Sequence, residues 1–321
     1  MGLRFIRDPI HQNILLSELD IRLLDTRPMQ RLRGVRQTGL VYLVYPGATH
    51  TRFEHSIGVR YLTEQILSVM KAYGADIPKD EEEVLKAAAL LHDIAHPAFS
   101  HSLDRVVGEE THEDYALKVM KESEISDILS ANGITVEDVW KVISRGRGLG
   151  GIVRGDIDAD RLDYLRRDAY YTGVAYGVID TRILMEFRLY EDDVVLSPKG
   201  LRPAESVLFA RYLMYMTVYN HKTVRIAASM LSKAVRYAVA EGLVSFEDLH
   251  KLEDYELLKT LTVSKGPPGE YARRLKERRL FKLAYRATWD EVSKDLLKAV
   301  SYTHLRAHET EADLVCRLLL E

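Results

Sequence analysis

The run Ala87-Ala-Ala-Leu-Leu91 is apolar on every side of a helix, and it ends directly in His92-Asp93. A helix that is apolar all round belongs in a protein interior, so the fold must bury an imidazole and a carboxylate at its end. Burying them is costly unless something compensates. The same stretch, Leu90-Leu-His-Asp-Ile-Ala-His-Pro-Ala-Phe-Ser-His101, carries two further histidines. A divalent metal would compensate both groups. Neutral imidazole and carboxylate suit Mn, Fe, Zn or Ni, with Mg a further candidate, and carboxylate bridging suits a two-metal site. A His-Asp pair that caps the helix end is the alternative this segment leaves open.

Apolar residues at helical spacing predict helices over Arg52 to Tyr73, Glu81 to Asp93, His112 to Met120, Glu137 to Ser144 and Asp158 to Ala169. Ala204 to Ala240 is a long helical segment, and Ile10 to Leu24 also has helical spacing. Asp25-Thr26-Arg27-Pro28 starts a short helix over Met29 to Gln37, proline being tolerated in a first turn. Val41 to Tyr45 reads as extended or irregular, and Pro46-Gly47 as a turn. Val194-Val-Leu196, between Glu-Asp-Asp and Ser-Pro-Lys-Gly, is the clearest hairpin. The expected fold is all-α, mainly helical, with a small β-hairpin near 190–200. Residues 1–245 are expected to form the main domain and 246–300 a C-terminal, mainly helical region, with a break at Lys265-Gly-Pro-Pro-Gly269. Ser301-Tyr-Thr-His-Leu-Arg-Ala-His-Glu-Thr310 resembles a translated sequencing-adapter artefact. Residues 301–321 are therefore set apart, and His304, His308 and Cys316 receive no function.

The formal charge of -3 gives no global attraction to nucleic acid or to an anionic membrane. No apolar stretch approaches the length of a membrane span, Met1 to Asp8 lacks a signal peptide's apolar core, and the single cysteine excludes an intrachain disulfide. A cytoplasmic protein is expected. The basic run from Tyr271 to Arg279 reads as a solvated face rather than a nucleic-acid surface. Gly146-Arg-Gly-Leu-Gly-Gly151 has the letters of a dinucleotide fingerprint but follows a helix, not a strand, so it is expected to be a mobile loop.

Two other segments carry chemistry. Arg52-Phe-Glu-His55 opens the preceding helix, so His55 can join His92 and Asp93 from a neighbouring element. Downstream, Asp156-Ile-Asp-Ala-Asp-Arg-Leu-Asp-Tyr-Leu-Arg-Arg-Asp168 places Asp160 and Asp163 on one helical face. Ile157, Leu162 and Leu165 give that helix an apolar side, so it packs and some of its carboxylates point inward.

The ordered set His55, His92-Asp93, Asp160 resembles the H…HD…D signature of the HD superfamily. More closely, the chain is similar to deoxynucleoside triphosphate triphosphohydrolases of the type found in the sterile-alpha-motif HD restriction factor. The similarity runs from about Leu24 to Arg225, through Gln30-Arg-Leu-Arg33, Arg36-Gln37, Tyr45-Pro-Gly-Ala, Arg52-Phe-Glu-His-Ser-Ile-Gly58, the His-Asp segment, His112-Glu113, Asp158-Ala-Asp-Arg-Leu-Asp-Tyr164 and Tyr219-Asn-His-Lys222. The resemblance implies that His55, His92, Asp93 and Asp160 ligate metal. It implies that His101 is the general acid, with Asp104 able to orient it, and that His96 and His112 contact phosphate or transfer protons, with Glu113 orienting His112. Arg52, Arg161 and Arg211 match phosphate-binding positions. Tyr164, Asp168 and Tyr219 match substrate-contacting positions, the first two at the sugar, and Gln37 with Thr38 matches the edge that senses the 2′ position. Thr38 departs from the family's leucine, which puts exclusion of ribonucleotides in doubt. Asp25, Gln30 and Arg33 match an allosteric nucleotide site between subunits. The resemblance thus implies a nucleotide substrate, a homo-oligomer (dimer or tetramer), and hydrolysis of dNTPs to deoxynucleoside and tripolyphosphate. The competing readings are an HD phosphatase or phosphodiesterase acting on nucleoside monophosphates or cyclic nucleotides, and a nucleotide-sensing or nucleic-acid-binding protein with vestigial catalysis.

Overall fold

A computed structural model describes residues 4–103, 106, 112–287 and 316–319. The chain is mainly helical, as the periodicity requires. It opens, however, with strands β1 (Arg4–Asp8) and β2 (Gln12–Leu16), paired antiparallel so that Ile6 faces Ile14. This corrects the helical reading of Ile10 to Leu24 over its first half, while Glu18–Leu24 is helical. Asp8 turns the chain by accepting the backbone N–H of Ile10 and of His11, both at 2.8 Å, and Gln12 takes a positive φ of 66°. Ser17 then starts α1 (Glu18–Leu24) with a reciprocal cap to Asp20.

Helix α2 (Arg27–Arg31) has proline in its first turn and continues into a tight turn at Leu32–Gly34. Of Val41 to Tyr45, expected to be extended or irregular, the first three residues belong to a 3-10 turn over Gly39–Leu43. The central elements are α3 (Arg52–Ala72) and α4 (Lys79–Leu91). Three helices follow them: α5 (His112–Lys121), α6 (Ile125–Ser130) and α7 (Val136–Arg145). Gly146 ends α7 in the left-handed conformation, where an added Cβ would lie 2.0 Å from the Arg154 carbonyl. The glycine-rich segment Gly148–Ile152 follows, where a loop was expected. It forms a 3-10 turn that buries Leu149 and Ile152.

Helix α8 (Ala159–Thr172) starts at Asp158, whose carboxylate accepts the Arg161 N–H at 2.8 Å. The expected hairpin is present as β3 (Phe187–Tyr190) paired with β4 (Asp193–Leu196). The long helical segment divides into α9 (Leu201–Met214), a π-helical turn at Tyr215–Tyr219, and α10 (Lys222–Ala240). The C-terminal part adds α11 (Phe246–Leu249), α12 (Asp254–Val263) and α13 (Gly266–Lys276), whose two prolines sit in its first turn. Strands β5 (Leu283–Ala287) and β6 (Cys316–Leu319) pair antiparallel. His304 and His308 lie outside the described residues.

Three apolar clusters hold these elements. One joins α3 to α8 and α9 through Leu62, Ile66, Leu165 and Met214. A second wraps α4 with α1, α5, α6 and α7 through Leu23, Leu90, Leu91 and Val139. The third ties Leu40 and Phe99 to α10, α12 and α13. Each such fully buried side chain contributes about 1.5–3 kcal/mol relative to exposure. The first two clusters grip opposite sides of α3, so its N-terminal turn is held between α4 and α8. The helix meets α8 tightly at Gly58, where a Cβ would stand 1.9 Å from Asp163 Oδ1. None of the described helices is long and apolar enough to cross a membrane.

Candidate metal centre

Three helix ends meet at one point. His55 lies in the first turn of α3, His92 caps the C-terminus of α4, and Asp160 lies in the first turn of α8. Their ligand atoms fall within 4.8 Å of one another. His55 Nε2 is 2.9 Å from Asp160 Oδ1, and His92 Nε2 is 3.8 Å from the same oxygen. Asp93 stands beside the group, with Oδ2 3.7 Å from His55 Nε2 and Oδ1 3.4 Å from His92 Nε2. It is also gripped from behind, receiving Arg52 NH1 at 2.5 Å and lying 3.1 Å from His96 Nε2.

The donor set fits a divalent cation. His92 Nδ1 lies 2.8 Å from the Ala89 carbonyl, so it carries the ring proton and turns the Nε2 lone pair toward the cluster. That Nε2 is buried without a hydrogen-bond partner. Metal-binding histidines are oriented this way. Electrostatics point the same direction. Burial works to lower the His55 pKa, yet its hydrogen bonds to Asp160 and Asp163 push it up to about 10. For Asp160, burial works upward but His55 and His92 hold the carboxyl below its usual range. Burial of Asp93 is likewise outweighed, chiefly by the Arg52 charge. The site is therefore strongly attractive to positive charge, and two imidazoles with one or two carboxylates match a borderline or hard divalent ion.

Around the cluster, Arg52 is almost wholly buried. Its Nε donates to Ser100 Oγ at 2.7 Å, while NH2 has no partner. His96 and His101 face each other with ring centroids 5.0 Å apart; His96 is buried and His101 exposed. Glu113 is buried and carries an ion pair from Arg154. His112 begins α5, but its side chain lies outside the described residues, as does Asp104. Arg161 is turned back onto the Gly155 carbonyl and Asp158. Arg211 is half-buried near Tyr215, its guanidinium carbon 5.5 Å from the ring.

Tyr164 sits edge-on to both His55 and Tyr219, each with ring centroids 6.5 Å apart, and burial raises its phenol pKa. Asp168 accepts the Tyr219 hydroxyl at 2.6 Å and lies 2.7 Å from His50 Nε2. Gln37 bonds its backbone N–H to the His50 carbonyl, and Gln37 Oε1 and Thr38 Oγ1 are buried without partners. Asp25 is exposed at the end of α1. Gln30 donates to the Leu24 carbonyl at 2.7 Å and accepts from Arg33 Nε at 2.9 Å, and Arg33 stacks 3.6 Å above the Phe53 ring. The sequence reading gave no role to His50, which orders Asp168, or to Asp163, which holds His55 Nδ1 at 2.7 Å. The only hint for Asp163 was its shared helical face with Asp160.

A helical fold with His and Asp donors converging from three helix ends defines a class, and the family comparison agrees. The HD domain model matches residues 52–168 and the HD-associated region model residues 179–315. The chain belongs to the HD-domain family. It is 38% identical over 285 residues to an uncharacterized protein of Methanocaldococcus jannaschii, an alignment covering 87% of this chain and 59% of that protein. A deoxynucleoside triphosphate triphosphohydrolase SAMHD1 homolog of Dictyostelium discoideum is 29% identical over 305 residues, covering 85% of this chain and 57% of that protein. The chain thus spans well under two thirds of the length of these two relatives. The crystal structure of a phosphohydrolase from Bacteroides thetaiotaomicron superposes with a TM-score of 0.80 at 30% identity, covering 94% of this chain and 83% of that one.

Proposed function

We propose that the chain is a metal-dependent phosphohydrolase that cleaves deoxynucleoside triphosphates to deoxynucleoside and tripolyphosphate. The observation that carries this reading is the convergence of His55, His92 and Asp160, with the buried, unpartnered His92 Nε2 facing the cluster. The relative from Dictyostelium, named a deoxynucleoside triphosphate triphosphohydrolase, supports the substrate class. So does the arrangement of groups. Arg52, with NH2 free, and Arg211 are the candidate phosphate grips. Gln37, Tyr164, Asp168 and Tyr219 are the candidate sugar grips, with Tyr219 and His50 fixing the Asp168 carboxylate.

A divalent cation held by His55, His92, Asp160 and Asp93 would supply Lewis acidity and an activated water. The protein's own part is positioning and charge. Arginine donors neutralise the phosphate oxygens as charge develops there. His96 and His101, with His112, are the candidates to protonate the departing oxygen, an effect typically worth about 10²–10⁴-fold. Cleavage at the α-phosphorus needs grips on both sides of the reacting atom, because positioning supplies much of the barrier reduction.

We further read the chain as a homo-oligomer. Leu208, Phe209 and Tyr212 leave an exposed apolar face on α9, and such faces mark association surfaces. Asp25, Gln30 and Arg33 would then form a regulatory nucleotide site at an interface. Incubation with each dNTP plus Mn, Mg or Fe, with chromatography of the products, tests the activity. Deoxynucleoside with tripolyphosphate is the expected result. Nucleoside diphosphate with single phosphate would refute attack at the α-phosphorus, and turnover of monophosphates or cyclic nucleotides alone would favour the other HD phosphohydrolases.

A further inference from the structure

The N-terminal hairpin lies far from the metal cluster in sequence, yet it reaches a ligand of that cluster through two buried side chains. His55 presents Nε2 to Asp160 and Nδ1 to Asp163 Oδ2, at 2.9 and 2.7 Å. Asp163 is fully buried, and its two oxygens are shared evenly. Oδ2 takes His55 Nδ1 and Arg167 Nε, the latter at 2.8 Å; Oδ1 takes His11 Nε2 at 2.7 Å and Arg167 NH2 at 2.9 Å. An ionised carboxylate only accepts hydrogen bonds. Asp163, which already takes two N–H donors from Arg167, thus accepts from His55 Nδ1, and the Nε2 edge of the ring is the one turned to the cluster.

His11 is itself locked in place. Asp8 accepts the His11 backbone N–H at 2.8 Å and receives Arg167 NH1 at 2.7 Å, and the His11 ring leans on Tyr61 of α3 at 5.0 Å. The turn of the hairpin, the middle of α8 and the start of α3 thus close one ring of charge-assisted hydrogen bonds around Asp163. Such bonds are stronger and more directional than neutral ones. Without His11, Asp163 Oδ1 keeps only Arg167 as a side-chain partner, and the carboxylate can rotate off the plane that aims His55.

We propose that His11 is a positioning residue of the metal centre: acting through Asp163, it fixes the orientation of His55 and thereby the affinity of the cluster for a divalent cation. The proposal rests on the metal-dependent reading above, and its test is a binding measurement rather than an activity. The chain Met1–Glu321 is stripped of metal with a chelator and titrated calorimetrically with Mn²⁺, alongside His11→Ala, His11→Gln and Ile14→Ala. Ile14 is a fully buried residue of the same hairpin. Removing the partner that orients a metal-binding histidine typically costs about 10–100-fold in affinity, and His11→Ala is expected to fall in that range. His11→Gln, whose amide N–H can still reach Asp163, should recover much of the loss. Ile14→Ala should lower the melting temperature of the metal-free protein and leave Mn²⁺ affinity unchanged. Unchanged affinity in His11→Ala would overturn the proposal. Equal weakening in Ile14→Ala would also overturn it, because His11 would then act only through hairpin stability. A wild-type chain that binds no Mn²⁺ would instead defeat the metal reading itself.

Discussion

Gly58→Ala is the smallest substitution that challenges the packing behind the candidate centre. The new Cβ would lie 1.9 Å from Asp163 Oδ1 and 2.5 Å from Arg167 NH2. Contacts so close are tolerable only if the neighbour is a loose side-chain end. Neither is: Asp163 and Arg167 are fully buried and bonded to each other through two hydrogen bonds. The strain must therefore separate α3 from α8 or break the pair. Overpacking alone costs about 1–3 kcal/mol, and a lost hydrogen bond to a charged group about 1.5–3 kcal/mol. A total near 3 kcal/mol or more follows. With a urea slope of up to about 3 kcal/mol/M, the unfolding midpoint should drop by about 1 M. Urea titration of metal-free wild type and Gly58→Ala by far-UV circular dichroism measures this directly. Coincident unfolding curves would refute the close-approach argument.

Further outcomes are expected at separate sites. His92→Ala and Asp160→Asn should each lose bound metal by elemental analysis while keeping helical circular dichroism; full retention in either would contradict the ligand assignment. Arg211→Ala should reduce turnover of a dNTP far more than turnover of a small artificial phosphodiester, and equal losses on both would remove Arg211 from the phosphate grip. Burial lifts the Asp254 carboxyl pKa to about 6, despite hydrogen bonds from the Phe99 and Arg36 backbones. The folded state therefore holds that proton more tightly than the unfolded chain. The Asp254 contribution to folding is fully present below about pH 4 and is lost as pH rises through about 6. The stability of wild type relative to Asp254→Asn should fall over this window in urea melts, whereas a pH-independent difference would rule the linkage out.

Much of the fold was legible because its long helices bury one consistent stripe. The bounds read for α3, α4 and α8 lie within a few residues of those observed, and the His92-Asp93 pair announced itself by following an apolar helix. The first hairpin was missed because Ile14, Leu15 and Leu16 run on into Leu19 and Leu23 with spacing that also suits a helix. The turn that joins β1 to β2 depends on the Asp8 side chain capping two backbone N–H groups. Partners across long sequence distances were not readable either. That His11 meets Asp163 follows only once α8 is placed. Asp163 was visible as a face-mate of Asp160, but nothing local distinguished a carboxylate that holds a histidine from one that faces water.

The four candidate ligands sit at the ends of three different helices, and helix ends are where a folded protein opens first. Local opening of this kind proceeds at free energies well below that of global unfolding. Fraying of the first turn of α3 or of α8 would remove one donor, and fraying of the last turn of α4 would remove His92 and Asp93 together. Release of the ion is then governed by the least stable of three helix ends rather than by unfolding of the chain. Metal binding should accordingly slow amide hydrogen exchange at all three ends together, although they are separated in sequence and anchored in two apolar clusters.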